Sequence, residues 1–276
     1  EPYRRQRQMC IRDSMERIDL FDRYFNGELS EEESIRFKEK LDEEGLAQGI
    51  FERMYNMFPE DNKHRLTIQY RMHPTIGTLI SHVFYNDEIQ NGVEAQDREL
   101  CIEGYEGIAI EWISTSKYST KERYEKEFDN NGKKSYQNYL ERNIIERKLL
   151  ELDSKLVKRT KVAVITGYGS QKYILQTMVK QHSFKHIEVD VDTVDAFQGS
   201  QKDIILYSTV RSSGNKYGIG FLKSEARINV AFSRARCLLI IVGDMKFLDN
   251  YKIRGNKFPE IIKYITESEG CRIIEK

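Results

Sequence analysis

The sequence predicts an α/β fold: a mainly parallel sheet covered by helices on both faces, in three layers. Two observations carry this. Apolar, β-branched runs recur at residues 66–69, 108–113, 162–166, 204–209 and 238–242. Several are continuous rather than alternating, as strands buried on both faces require. Helical patterns separate them at 74–85, 138–156, 171–182 and 224–235, and alternation of strand with helix is the pattern of a parallel sheet with helical crossovers.

The length, 276 residues, suits one large domain, or one domain with a small appendage. Apolar residues make up 39% and charged residues 32%, so a sizeable core is available beneath a highly charged surface. Lys and Arg number 44, as do Asp and Glu. The whole-chain charge therefore gives no sign of nucleic acid, although a neutral total is compatible with a local basic face. No apolar run approaches the ~18 residues of a membrane span. The polar, basic start has no apolar signal segment, so a cytoplasmic location without a membrane partner is expected. The cysteines (Cys10, Cys101, Cys237, Cys271) form no CxxC pair, which argues against a zinc site or a disulfide framework. Cys101 and Cys237 stand among apolar residues and are expected in the core.

Residues 1–14, EPYRRQRQMCIRDS, show no periodicity and are read as a disordered tail or an artefact. Residues 15–48 are expected to form an acidic helical hairpin. Its first helix carries Ile18, Leu20, Phe21, Tyr24 and Phe25 and stops at Asn26-Gly27. Ser30 then caps a second helix whose first turn holds Glu31, Glu32 and Glu33. The hairpin is similar to the short helical pair at the cytosolic start of some bacterial anti-sigma-type proteins, and would be a structural appendage or a partner-docking element. The α/β pattern occupies 49–276. Within it, 114–137 is polar and rich in Lys, Glu and Tyr, and is expected to be a long solvated loop; contact with RNA is the alternative.

Three segments carry candidate chemistry. In LTIQYRMHP (66–74) a short strand ends at Arg71, and Pro74 marks a helix start. An arginine at the carboxyl end of a strand in an open α/β sheet lies where ligands bind; the alternative is a surface ion pair. His73 reads as a cap or packing residue. In VDTVDAFQGSQKDIILYSTVRS (191–212), Gly199 permits a tight turn and close approach of a ligand. Thr193 offers a hydroxyl and an N–H to a phosphate. Asp195 and Asp203 are too weak a pair to indicate a metal. In EARINVAFSRARCLLIIVGD (225–244), Arg227, Ala231 and Arg234 fall on one helical face at i, i+4 and i+7. Those arginines either pair with acids or hold an anion, for which a permanently charged planar guanidinium is suited.

Together with FER (51–53), FYNDEIQNG (84–92), SxxNxxE (Ser135, Asn138, Glu141) and ITGYGSQ (165–171), these segments resemble superfamily 1 (1B) helicases, in the branch of the nonsense-mediated-decay helicase and its DNA-processing relatives. The resemblance covers about residues 49–245. It implies a C-terminal RecA-like domain, the second motor lobe of an ATP-dependent helicase. It also implies roles. Arg71 would contact the γ-phosphate and Arg234 would be the arginine finger. Tyr70, Gly199, Gln201 and Arg227 would bind nucleotide. Thr166, Tyr168 and Thr193 would touch the backbone of single-stranded DNA or RNA, with Thr193 and Gly199 coupling nucleotide to strand.

The chain departs from the family in two places. Gln201 stands where the family has a ribose-contacting Glu, and Thr166-Gly167-Tyr168 replaces Thr-Pro-Tyr. No GxxxxGK[ST] phosphate loop is present. The phosphate loop and the Mg²⁺ ligands for ATP are therefore expected on an N-terminal RecA-like lobe, in the same or another chain. The competing function is a non-catalytic module, derived from such a lobe, that binds nucleic acid or protein.

Overall fold

The structure, a computed structural model, describes residues 23, 29–30, 32–36, 66–130, 133–197, 199–213, 218–250 and 255–275. The chain divides into two compact units, Glu1–Arg65 with Asn215–Phe221, and Leu66–Gly214 with Leu222–Lys276. The tail 1–14, most of the hairpin 15–48 and the FER segment lie outside the described residues. In the first unit Ser30 caps a helical turn as expected. The Glu33 N–H donates to Ser30 Oγ at 3.2 Å, and the Ser30 N–H donates to Glu33 Oε2 at 2.8 Å, the reciprocal arrangement of a capping box.

The second unit is the α/β domain. In chain order its elements are β1 (Ile68–Gln69), α1 (Pro74–Tyr85), β2 (Gln90–Asn91), β3 (Ile110–Ser114), α2 (Thr120–Arg123), β4 (Lys126–Asn130), β5 (Lys133–Gln137), α3 (Tyr139–Lys155), β6 (Thr160–Thr166), α4 (Gly169–Val179), β7 (Ile187–Thr193), β8 (Lys202–Ser208), α5 (Glu225–Phe232), β9 (Ala235–Gly243), α6 (Met245–Asn250), α7 (Phe258–Glu267) and β10 (Cys271–Glu275). Six strands form one sheet in the order β10-β3-β9-β8-β6-β7, and every neighbouring pair is parallel. This is the RecA-like architecture that the sequence predicts.

Alternation within the buried strands divides the core into two layers. Val162, Val164, Ile204, Leu206, Leu238 and Ile240 face α3 and α4, where Ile145, Leu149, Leu152, Leu175 and Met178 complete one apolar cluster. The intervening residues face the other side. There Trp112 meets Phe258 of α7 edge-on at 6.0 Å, and Tyr207 meets Phe232 of α5 at 5.3 Å. The central strands are buried on both faces, and so they read as continuous apolar runs.

Three expectations are corrected. The segment 114–137 is not a solvated loop: it holds α2 and the antiparallel hairpin β4–β5, in which Phe128 pairs with Ser135. Its alternating polar residues suit a strand pair with one face in solvent. β1 does not join the main sheet but pairs in parallel with β2. Cys101 is exposed and Cys237 is half-buried.

Candidate functional site

Arg71, Gln201 and Arg234 are brought together, but at the amino-terminal edge of the main sheet rather than the carboxyl edge. Gln201 immediately precedes β8 and Arg234 immediately precedes β9, and the Lys202 N–H donates to the Arg234 carbonyl at 3.1 Å. Because β1 belongs to the separate two-stranded sheet, the position of Arg71 at its end says nothing about the edge of the main one. Arg71 donates from Nε to Gln201 Oε1 at 3.0 Å and from Nη1 to the Ser233 carbonyl at 3.1 Å. Arg234 donates from Nε to the Val230 carbonyl at 3.1 Å and from Nη1 to the Ser200 carbonyl at 3.4 Å. Burial, and then the neighbouring Arg71 charge, lower the Arg234 pKa from its ordinary value. Like charges held this close, with no carboxylate bonded to either, form a site for an anion.

The turn that carries Arg71 is fixed by residues outside the predicted set. Gln69 Oε1 accepts the N–H groups of Arg71 (2.9 Å) and Met72 (2.8 Å), while its Nε2 donates to the Met72 carbonyl and to Asn91 Oδ1. Arg98 donates from Nε to the Arg71 carbonyl at 2.9 Å and from Nη2 to the Tyr70 carbonyl at 2.8 Å. Close packing requires small neighbours here: a Cβ at Gly77 would fall 2.0 Å from Asn91 Oδ1, and one at Gly92 would fall 2.3 Å from the Tyr70 ring. Tyr70 lies on Gly92 with its ring 63% exposed, open to stacking. His73 is buried and caps α1 through Nδ1, which accepts the Thr75 N–H.

Gly199, exposed with φ 90°, makes the turn that leads to Gln201. Arg227 is not part of this cluster. Helix α5 ends at Phe232, so the i+7 face predicted for Arg234 is broken, and Arg227 pairs through two nitrogens with Asp195 at 3.1 Å. Of the two expected alternatives, Arg227 takes the acid and Arg234 does not.

The predicted strand-contacting residues lie at the opposite edge. Thr166 and Thr193 end the adjacent strands β6 and β7. The chain leaves β6 through α4 on one face and returns from β8 through α5 on the other. Their carboxyl ends therefore flank a topological switch point, where α/β sheets bind ligands. The side chains of Thr166 and Tyr168 are nevertheless buried; Tyr168 packs edge-on against Tyr136 of β5 at 5.4 Å. A ligand at this edge would meet main chain near Gly167, and Thr193, which is half-buried.

A buried polar network supports this edge. Asn138 caps α3, accepts the Glu141 N–H at 3.0 Å, and donates to the carbonyls of Arg123 and Val210. Gln171 Oε1 accepts the Asn138 N–H at 2.7 Å. Glu141 accepts from Ser208 Oγ (2.6 Å), Thr209 Oγ1 (3.2 Å) and the Val210 N–H (2.9 Å). This holds Val210 at φ 70°, a conformation that disfavours a β-branched residue. Burial raises the Glu141 carboxyl to about 8, against the hydrogen bonds that lower it. The SxxNxxE pattern was the only sequence signal for these residues. Next to them, the buried side chains of Arg211 and Glu125 pair at 2.9 Å.

Neither acid considered as a metal ligand is free for one. Asp195 is held by Arg227, and Asp203 by Arg236 at 2.8 Å. Among the described residues no three His, Cys, Asp or Glu side chains are grouped to hold a metal, so the Mg²⁺ that accompanies ATP does not fit this set. No helix of the described residues is long and apolar enough to cross a membrane.

A family model described as an AAA domain matches residues 46–246. The Regulator of nonsense transcripts 1 homolog of Neurospora crassa is 35% identical over 225 residues, covering 79% of this chain and 20% of that protein. Its Drosophila melanogaster counterpart is 36% identical over 210 residues, 74% of this chain and 17% of that one. The ATP-dependent helicase NAM7 of Saccharomyces cerevisiae is 34% identical over 243 residues, 87% and 24% respectively. The chain thus spans about a fifth of the length of the curated relatives it matches.

Proposed function

The chain belongs to the superfamily 1 helicases of the nonsense-mediated-decay type, as a C-terminal RecA-like AAA domain, and we propose that it is one half of an ATP-driven motor site. ATP binds between this lobe and an N-terminal RecA-like lobe that supplies the phosphate loop and the Mg²⁺ ligands. Arg71 contacts the γ-phosphate, and Arg234 acts as the arginine finger on the charge that develops during phosphoryl transfer. Tyr70, Gly199 and Gln201 border the nucleotide. The opposite sheet edge, at 166–168 and Thr193, follows the backbone of single-stranded DNA or RNA, so that closure of the nucleotide cleft is coupled to movement along the strand.

The observation that carries this proposal is the pair of adjacent guanidiniums, Arg71 and Arg234, held by neutral oxygens and bonded to no acid. The chain alone is expected to hydrolyse ATP negligibly. Joined to a P-loop-bearing RecA-like lobe it should turn over ATP, and Arg234→Ala should then lower kcat by about a thousandfold or more. Unchanged turnover in that variant, measured by phosphate release with single-stranded nucleic acid present, overturns the assignment of Arg234.

A further inference from the structure

The arginines of this domain are satisfied in two ways. Arg211, Arg227, Arg236 and Arg272 each bond a carboxylate: those of Glu125, Asp195, Asp203 and Glu111. Arg71 and Arg234 bond none among the described residues. Their acceptors are Gln201 Oε1 and the carbonyls of Ser233, Val230 and Ser200, all neutral amide oxygens. Arg98, immediately behind them, is likewise held by the carbonyls of Tyr70, Arg71 and Asp97.

A half-buried guanidinium needs acceptors for its N–H groups, or it loses solvation without compensation. A carboxylate would meet that need and cancel the charge; an amide oxygen meets it and leaves the charge in place. Of the four acceptors around the pair, three are main chain and fixed. Gln201 is the one on a side chain, it is exposed, and rotation about its own bonds can withdraw it.

We infer that Gln201 is a neutral latch for Arg71. It is a positioning residue that holds the guanidinium at rest without neutralising it, and releases it to a polyphosphate when one enters the cluster. The inference rests on the proposed role of Arg71 and Arg234 in binding nucleotide phosphate. It adds that the amide at 201, rather than an acid, sets the charge with which this half-site meets its ligand.

The test uses this chain with inorganic tripolyphosphate as the probe, titrated by calorimetry at low salt. The Arg71 Nε–H signal is followed by nitrogen-15 NMR. Gln201→Glu places a carboxylate in ion-pair distance of Arg71, whereas Gln201→Met removes the acceptor and adds no charge. Gln201→Glu is expected to weaken binding on the order of tenfold more than Gln201→Met does. In the unaltered chain the Arg71 Nε–H signal should shift on saturation as its acceptor changes from amide to phosphate. Equal affinities for the two variants, or an Arg71 signal that does not move, overturn the latch while leaving the phosphate site standing, provided that Arg234→Ala weakens binding. If Arg234→Ala binds tripolyphosphate as well as the unaltered chain does, the phosphate site itself fails, and the latch fails with it.

Discussion

The two edges of the main sheet use arginine in opposite ways. At the carboxyl edge Arg211 is wholly buried, paired with Glu125, and stacked 4.1 Å from the Tyr136 ring centroid. Glu125 also accepts the N–H groups of Ser212 and Ser213 and the Ser213 hydroxyl. Nearby, Asp244 is buried and bonded to Arg123, Ser116 and Ser212. Charge is cancelled at close range here, and the result is a rigid framework for the strand ends. At the amino edge Arg71 and Arg234 are part-exposed and bonded to neutral oxygens. Charge is left uncancelled there, which contributes little to folding and is available to a ligand. The same side chain therefore acts as structure at one edge and as a binding group at the other, and the difference lies in what each guanidinium touches.

The sharpest way to break this contrast is to remove one partner at each edge and measure unfolding. Glu125→Ala leaves the Arg211 charge buried with its ion pair gone, and should cost about 3–5 kcal/mol. Arg71→Ala removes a part-exposed group bonded only to neutral acceptors, and should cost about 1 kcal/mol or less. Urea midpoints of the two variants settle the comparison: similar losses would mean that the amino-edge arginines are structural after all.

Much of the frame was legible in the sequence. The helix predicted at 74–85 is observed at Pro74–Tyr85, because Pro74 stands in its first turn and Asn86 closes it in the left-handed conformation at φ 49°. The buried central strands announced themselves as apolar runs. β7, IEVDVDT, and the edge strand β10, CRIIE, did not, because acids or a short terminal run interrupt the apolar signal. The edge on which Arg71 sits was not legible, because nothing local tells which sheet a two-residue strand joins. The fates of Arg227 and Arg234 diverged because α5 stops two residues before Arg234, so a spacing argument that holds within a helix failed at its end. Arg98 carried no pattern at all: its bonds to Tyr70 and Arg71 span 28 and 27 residues of chain. The Glu141 contacts with Ser208 and Val210 span 67 and 69 residues, beyond the reach of any helical or strand period.

The pH dependence of stability tests the carboxyl edge more finely. Burial raises the Glu141 carboxyl from 4.5 to about 8 in the folded chain. Between those values the unfolded chain releases this proton while the folded chain keeps it, so the unfolded state binds fewer protons and stability falls as pH rises. The contribution is fully present below about pH 4.5 and is lost as pH approaches about 8. The sign is opposite to that of Asp153, whose pKa is lowered through the N–H groups of Lys185, His186 and Ile187 despite partial burial. Glu141→Gln, neutral at every pH, should flatten the profile between pH 5 and 8, where the parent chain loses on the order of 2 kcal/mol through this group. Identical slopes in the two proteins would show that Glu141 is ionised in the fold and that its hydrogen bonds outweigh its burial.

The smallest expected effect lies behind the amino-edge cluster. Arg98→Met keeps the length of the aliphatic stem and removes three donors, those to the carbonyls of Tyr70, Arg71 and Asp97. Carbonyls at a half-exposed turn can turn to water instead, so the loss should be about 1 kcal/mol, well below that of Glu125→Ala. The change would be felt in geometry more than in stability. With the Tyr70 and Arg71 carbonyls released, Gln69 remains the sole side chain bonded to the Arg71 main chain, and the Arg71 guanidinium should sample a wider range of positions. Hydrogen exchange at the Arg71 and Met72 amides reports this directly. Exchange faster by about fivefold, with the urea midpoint barely moved, is the expected outcome for a clamp on local order. Exchange unchanged at those two amides would mean that Gln69 alone holds the turn, and that Arg98 acts only by adding its charge to the cluster.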